Sequence, residues 1–421
     1  MKVLIIGAGL GGLTAAVGFA KRGHDVHVLE RSNKLSPRGG GMAIRPGANR
    51  ILLSWGLRSD LAEIADEMTT TLFRDVATGA ITMRNIVHEV SEYPDLGTTR
   101  HEVMETMYRL ALDSGALIHF GIQVVDVGDN ASQASVKLRD GRTLTADMVL
   151  AADGVRSKIR SKILGGLNSP TEPVLGATTL YGTEVPAANL QKTRLTSDAN
   201  ISTWMGKGGF VTTRLNRRLG TVVLLYAING QTDQRSLWDE DGDIDFVRDF
   251  FSEACEDLKA ALRAAETCDR WRIAEMPNLP TWSSRSGRIL LLGDSAHAMH
   301  PNAGQGYSQI VEDIGVLDFL LHQAADPAAE VPHAAEIWEK LRKPRAERVK
   351  ELSAWNTKLF TGTPLVPTTD NDKGNWKSLK NTLPDKDASF SSSRFVKWLL
   401  DHDAVEEVRS LPPTSPLIAE N

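Results

Sequence analysis

A strand, a glycine loop and a helix in the first thirty residues constrain this chain more than anything that follows. Lys2-Val3-Leu4-Ile5-Ile6 reads as a buried strand and Gly7-Ala8-Gly9-Leu10-Gly11-Gly12 as the loop leaving it. An apolar helix runs on to Arg22, and Asp25 to Leu29 is a second strand that ends at Glu30. The glycines divide the work: Gly7 permits the tight turn, Gly9 the approach of backbone to a pyrophosphate, and Gly12 the packing of helix against sheet. The helix start aims unpaired N–H groups and the positive end of its dipole at phosphate. Glu30 stands where a carboxylate accepts hydrogen bonds from a ribose, and an acid there favours a free 2′-hydroxyl over a 2′-phosphate. Arg31 beside it is grouped with the same site. A secretory leader is the competing reading of Lys2 and its apolar run, but the glycines, Lys21, Arg22 and a following Val-His-Val-Leu strand argue against it.

A chain of 421 residues can bury a large core across two joined domains. Its formal net charge of −5 gives no basis for nucleic-acid binding or for attraction to an anionic membrane, and no apolar run of about eighteen residues could span a bilayer. The two cysteines, Cys255 and Cys268, fit neither a disulfide framework nor a metal site and point to a reducing space, the cytoplasm. No metal is expected. His297 and His300 are three apart but lack a third ligand, and read as hydrogen-bonding loop residues.

Along the chain, Gly39-Gly40-Gly41, preceded by Pro37 and Arg38 and leading into Met42-Ala43-Ile44, suggests backbone lying against a flat ligand. A helix with Ala48, Ile51, Leu52 and Trp55 on one face follows. Short strand candidates occupy 68–98, and helical spacing returns at Arg100. The apolar strand Met148 to Ala152 delivers Asp153-Gly154, at the strand end where open α/β sheets bind ligands. Residues 170–282 have an antiparallel texture, with strands Ala177 to Glu184, Ile201 to Met205, Phe210 to Arg214 and Leu219 to Ile228, and one helical insertion from Ile244 to Ala265. Arg288 to Leu292 is again a buried strand and leads to Gly293-Asp294, then to the loop Asn302-Ala303-Gly304-Gln305-Gly306-Tyr307. A long helical region from Ala334 to Leu359 is expected to break at Pro344, a polar surface excursion covers 362–393, and a short tail helix lies around Phe395 to Leu400.

The amino-terminal fingerprint, Asp153-Gly154 and Gly293-Asp294 together resemble the class A flavoprotein monooxygenases, single-component FAD- and NAD(P)H-dependent aromatic hydroxylases of the salicylate and para-hydroxybenzoate hydroxylase type. The resemblance runs from residue 1 to about 360, and Trp398-Leu399-Leu400-Asp401-His402-Asp403 is similar to the end of salicylate-hydroxylase-like members. It implies an α/β fold: a Rossmann-type FAD-binding domain with an inserted antiparallel-sheet substrate domain and C-terminal helices. The FAD-binding domain is expected over 1–70, 99–168 and 285–360, the substrate domain over 71–98 and 169–284, and a C-terminal extension over 361–421.

The resemblance also assigns residues. Gly7, Gly9 and Gly12 would hold the FAD pyrophosphate, Glu30 the adenosine ribose, and Ala43 would lie along the cofactor. Arg100 would reach FAD, Asp153 would serve the pyrophosphate region and NAD(P)H, Asp294 would bond the ribityl chain, and the backbone at Gly306 and Tyr307 would face the flavin pyrimidine. A helix start there suits an anionic reduced flavin. NAD(P)H is expected only as a transient cosubstrate, because no second fingerprint occurs. The implied reaction is transfer of one oxygen atom of dioxygen, through a flavin hydroperoxide, to a small aromatic or polycyclic substrate. Tyr181 and Tyr226 are the candidates for positioning or protonating that substrate, since a phenol both donates and accepts. Thr179-Leu180-Tyr181-Gly182 stands where many relatives carry an arginine, so the substrate itself is left open, as is the oligomeric state. A reductase or dehydrogenase on the same scaffold, and a non-catalytic nucleotide-binding module, are the competing readings.

Overall fold

The computed structural model describes residues 1–36, 39–86, 90–165, 167, 169–197, 201–230, 238–362, 387–390 and 392–411. Pro37 and Arg38, and most of the excursion expected over 362–393, lie outside the described residues.

The apolar amino-terminal strand Lys2–Ile6 sits at the centre of a five-stranded parallel sheet, with Met148–Ala151 and then Ile289–Leu291 on one side and Asp25–Leu29 and then Leu117–His119 on the other. Val3, Leu4, Ile5 and all of Met148–Ala151 are buried, as expected of strands covered on both faces. Helix Leu10–Lys21 packs over the sheet, and helix Gly306–Gln323 packs on that helix in turn. Because the strands are parallel, the loops after Ile6, Ala151 and Leu291 leave from one edge and bring Gly7, Asp153 and Asp294 to the same end of the sheet.

A second, eight-stranded sheet has the order Trp238–Gly242, Cys268–Glu275, Val174–Pro186, Thr221–Asn229, Gly209–Asn216, Ile201–Gly206, Thr70–Asp75 and Ile81–Ile86. It is antiparallel except where Ile201–Gly206 runs parallel to Thr70–Asp75. Side chains alternate along each strand. On Thr221–Asn229, Val223 and Leu225 face a large cleft, whereas Val222, Leu224 and Tyr226 face helices Ile244–Phe250 and Glu256–Ala264 on the other side. A small antiparallel sheet of Gly41–Ile44, Asp95–Thr99 and Asp66–Met68 lies by the cleft, where a Cβ on Gly41 would stand 3.2 Å from Val223 Cγ1.

Three details differ from what the sequence leads one to expect. The insertion after Ile244 is two helices separated by residues 251–255, not one. Cys268–Glu275 is a full strand of the second sheet, hidden in the sequence by its alternating charges. Pro344 does not break its helix: Pro327–Phe360 is continuous through both Pro332 and Pro344. Arg342 and Arg345, on either side of Pro344, are anchored by buried carboxylates on the neighbouring helix, and these contacts override the loss of one backbone donor. Among the described residues no helix is long and apolar enough to cross a membrane.

Candidate active site

A cleft of ≈ 940 Å³ runs from the glycine loop, across the edge of the parallel sheet, to the face of the eight-stranded sheet. At its first end the loop geometry is the one a pyrophosphate needs. Gly7 has φ +102, and a Cβ there would stand 2.6 Å from the Ala152 carbonyl; a Cβ on Gly12 would collide with the Gly7 carbonyl. A Cβ on Gly9 would meet nothing within 4 Å, because Gly9 borders open cleft. Helix Leu10–Lys21 begins there with no side-chain cap, so its first N–H groups are left to a ligand. Glu30 Oε2 accepts from Ala8 N at 2.8 Å and Oε1 from Ser32 N at 2.7 Å, which fixes the carboxylate on the cleft wall with lone pairs to spare.

Gly39, Gly40, Gly41 and Ala43 line the middle of the cleft together with Arg100, Asp294, Gly306 and Tyr307. Burial pulls the Arg100 guanidinium below its ordinary value while Asp294 draws it back up. Tyr307 is fixed by a 3.0 Å hydroxyl contact with Thr14. Asp153 stands beside Gly7 but is not part of the wall. Its Oδ2 accepts from Lys158 N at 3.0 Å, while its buried Oδ1 has no partner. Gln305 Oε1, at the start of helix Gly306–Gln323, is another buried acceptor without a partner. Open space at Gly9, uncapped helix N–H groups and a buried cation on the wall together fit a bound dinucleotide that brings its own phosphates.

Arg31 is exposed and takes no part in the cleft wall. The next side chain to reach the wall is Ser32, because Glu30 at the strand end points inward and its successor outward. Tyr181 and Tyr226 are also displaced from the expected role. They are directly paired across neighbouring strands but lie on the sheet face away from the cleft, packed against Phe246 and Phe251 respectively. Burial drives the Tyr226 hydroxyl far above its ordinary value, and it can neither touch nor protonate anything in the cleft.

The residues that build the second half of the cleft do not stand out in the sequence. Arg45 donates to Asp95 Oδ2 at 2.5 Å and to the carbonyls of Gly304 at 3.2 Å and Ala303 at 3.3 Å, and so holds the turn before helix Gly306–Gln323. Its one signal is its place between the glycine-led strand and Pro46. Phe73, Thr203, Thr212 and Trp271 present from the sheet, and Phe360 and Phe395 close the chamber from the C-terminal helices. This end is mostly apolar and aromatic, with Thr203, Thr212, Arg214, Arg272, His300 and Asn356 as polar points.

The family described as FAD binding domain matches residues 1–352. Among curated relatives, asperlicin C monooxygenase of Petromyces alliaceus is 27% identical over 374 residues, covering 84% of this chain and 79% of the relative. The 6-hydroxynicotinate 3-monooxygenase of Pseudomonas fluorescens is 27% identical over 368 residues, covering 86% and 92%. A salicylate hydroxylase substrate complex shares the fold with a TM-score of 0.78 at 21% identity, covering 97% of each chain. CtdE in complex with FAD and substrate does so at 0.79 and 23%, covering 96% of each.

Proposed function

The chain belongs to the FAD binding domain family, and we propose that its cleft oxygenates a small aromatic or polycyclic molecule. It is an FAD-dependent monooxygenase of the aromatic hydroxylase type. The observation that carries the substrate class is the continuity of one cleft from the Gly9 and Glu30 end to a chamber walled by Phe73, Trp271, Phe360 and Phe395. Flat aromatic faces at that end favour a planar ring.

When bound, FAD would supply the redox chemistry, hydride uptake from NAD(P)H and delivery of one oxygen atom of dioxygen. The balance is substrate, O₂, NAD(P)H and a proton in, and oxygenated substrate, water and NAD(P)⁺ out. Gly7, Gly9 and the start of helix Leu10–Lys21 would hold the pyrophosphate, and Glu30 the ribose. Asp294 would bond the ribityl hydroxyls while Arg100 neutralises charge beside it. The N–H groups at Gly306 and Tyr307 would stabilise negative charge at the flavin pyrimidine. Arg45 would keep that turn in place, and the aromatic wall would exclude water, which limits loss of reducing equivalents as hydrogen peroxide. Both cysteines are buried and unpaired, which suits a reducing compartment, and we place the protein in the cytoplasm.

Incorporation of isotopically labelled dioxygen tests this function. Protein loaded with FAD, supplied with NADH or NADPH and a panel of hydroxylated arenes and fused heteroaromatics, should yield a product carrying one labelled atom for each NAD(P)H consumed. Oxidation of NAD(P)H that ends in hydrogen peroxide for the whole panel would overturn the substrate class.

A further inference from the structure

The tail helix Ser393–Leu400 is followed by His402 and by the short helix Ala404–Arg409, which starts from Asp403. Phe395, Val396, Leu399 and Leu400 form part of the cleft wall, so the docked tail closes the apolar end on that side. The Leu399 carbonyl accepts from Arg345 Nη2 at 3.1 Å and from the Gln305 amide at 3.5 Å, and Gln305 directly precedes helix Gly306–Gln323. Docking of the tail is thereby tied to the turn that carries Gly306.

His402 stands at the joint of this assembly. Its carbonyl lies against helix Pro46–Ser54, where a Cβ on Gly47 would approach it to 2.6 Å. Arg50 of that helix pairs with Asp401 at 3.1 Å and Asp403 at 2.9 Å, one on either side of the histidine. The His402 side chain is 12% exposed. Its Nε2 is buried without a well-formed hydrogen bond and stands 3.4 Å from Glu407 Oε2. The charges that face the ring are Glu312 from helix Gly306–Gln323, Arg342 and Arg345 from helix Pro327–Phe360, and Glu407 from helix Ala404–Arg409. Glu312 is already engaged by both arginines. A neutral ring fits this place, whereas a charged one adds a third cation beside two buried guanidiniums.

We propose that His402 is a proton-operated latch: the neutral ring keeps residues 393–409 docked, and its protonation in mild acid releases them and opens the apolar end of the cleft. The inference goes beyond the proposed chemistry and holds whatever the cleft binds. Burial and then Arg345 weaken the ring's hold on a proton, with Arg342 adding to them and Glu407 and Glu312 opposing, so the docked ring titrates below its ordinary 6.5. A released ring is hydrated and regains the ordinary value. The docked form therefore binds the proton less tightly than the released one. Docking is at full strength above about pH 6.5 and weakens as pH falls from there toward the docked value, by up to about tenfold in the opening equilibrium for each pH unit. Against burial, Arg345 and Arg342 hold Glu312 down at about 2, so that carboxylate stays charged while the ring titrates.

Amide hydrogen exchange of the FAD-loaded full chain, followed by mass spectrometry from about pH 7.5 to about pH 5 and corrected for the intrinsic pH dependence of exchange, tests the latch. In wild type the opening of residues 393–409 should rise by up to about tenfold for each unit below about pH 6.5, while the parallel sheet keeps its protection. His402→Gln keeps a polar side chain but takes up no proton, and its tail should open to the same extent across the range. Exchange of the histidine C2 hydrogen, read residue by residue on the wild-type samples, gives the titration of His402 without relying on a variant. A His402 that titrates at or above its ordinary 6.5 overturns the proposal. So does an equal pH dependence of the tail in wild type and His402→Gln. Loss of protection in the parallel sheet together with the tail would be general acid unfolding and overturns it as well. A protein that releases its tail in acid but never incorporates labelled oxygen would lose the monooxygenase reading and keep the latch.

Discussion

Arg345 clasps Glu312 with two hydrogen bonds, Nε to Oε2 at 2.6 Å and Nη2 to Oε1 at 2.9 Å, with neither side chain more than 3% exposed. The same guanidinium donates to the carbonyls of Trp398 at 3.2 Å and Leu399 at 3.1 Å and lies over the Trp398 ring. One buried ion pair therefore joins helix Gly306–Gln323 to helix Pro327–Phe360 and also hooks the tail helix Ser393–Leu400, whose Phe395, Val396 and Leu399 line the cleft. Arg345→Met leaves Glu312 with Arg342 as its remaining guanidinium partner and frees the tail carbonyls. Breaking a buried pair from one side costs about 3–5 kcal/mol. Urea unfolding should register that loss, and hydrogen exchange should show residues 393–409 opening before the parallel sheet; unchanged protection of the tail would refute the link.

The same pair sets an acid limit. Burial alone would raise the Glu312 carboxyl, but Arg345 and then Arg342 pull it down to about 2, below its ordinary value of 4.5. A carboxyl whose folded value is depressed contributes stability that is complete above its unfolded value and lost as pH falls through the folded one. The stability difference between wild type and Glu312→Gln should be flat above about pH 5 and shrink steadily toward pH 2. A difference that stays constant down to pH 2 would mean the carboxylate is not held by the arginines.

The cradle is legible in the sequence because it is local: Gly7, Gly9, Gly12 and Glu30 belong to one strand, loop, helix and strand, and Glu30 closes back on Ala8. The chamber is not, for two physical reasons. Alternation shows that Tyr226 shares a face with Val222 and Leu224, but both faces of this sheet are apolar, so the pattern does not say which one meets the cleft. The network of Glu312, Asp313, Arg342 and Arg345 is formed between two helices across a sharp change of direction, with partners about thirty positions apart, and Pro344 hides the continuity of the second helix. His297 shows the same limit: its buried 2.7 Å contact with Asp313 gives the ring a structural partner that the spacing of histidines does not announce.

Tyr226→Phe tests the placement of that tyrosine. Its hydroxyl is fully buried, has no hydrogen-bond partner and lies on the far side of the sheet from the cleft. Removing an unsatisfied buried hydroxyl relieves a desolvation cost of about 1–3 kcal/mol. Thermal melting should therefore show the variant at least as stable as wild type, with the ratio of oxygenated product to NAD(P)H consumed unchanged. A fall in that ratio would return the tyrosine to the active site.

Gly9 and Gly12 separate folding from cofactor binding. Gly9 has φ −82 and an open flank, so an alanine fits the apoprotein, and its methyl occupies space reserved for the pyrophosphate. Gly9→Ala should leave apoprotein unfolding within about 0.5 kcal/mol of wild type, yet lower FAD affinity at least tenfold, a change of about 1.4 kcal/mol. Gly12→Ala drives its Cβ into the Gly7 carbonyl, so the strand and helix must separate. It should lower apoprotein stability as well as flavin content, because well-packed interiors tolerate little added volume. Melting of the apoproteins, followed by titration of flavin fluorescence, reads both quantities on the same samples. Equal stability losses in the two variants would show that the gap beside Gly9 is not kept open for a ligand.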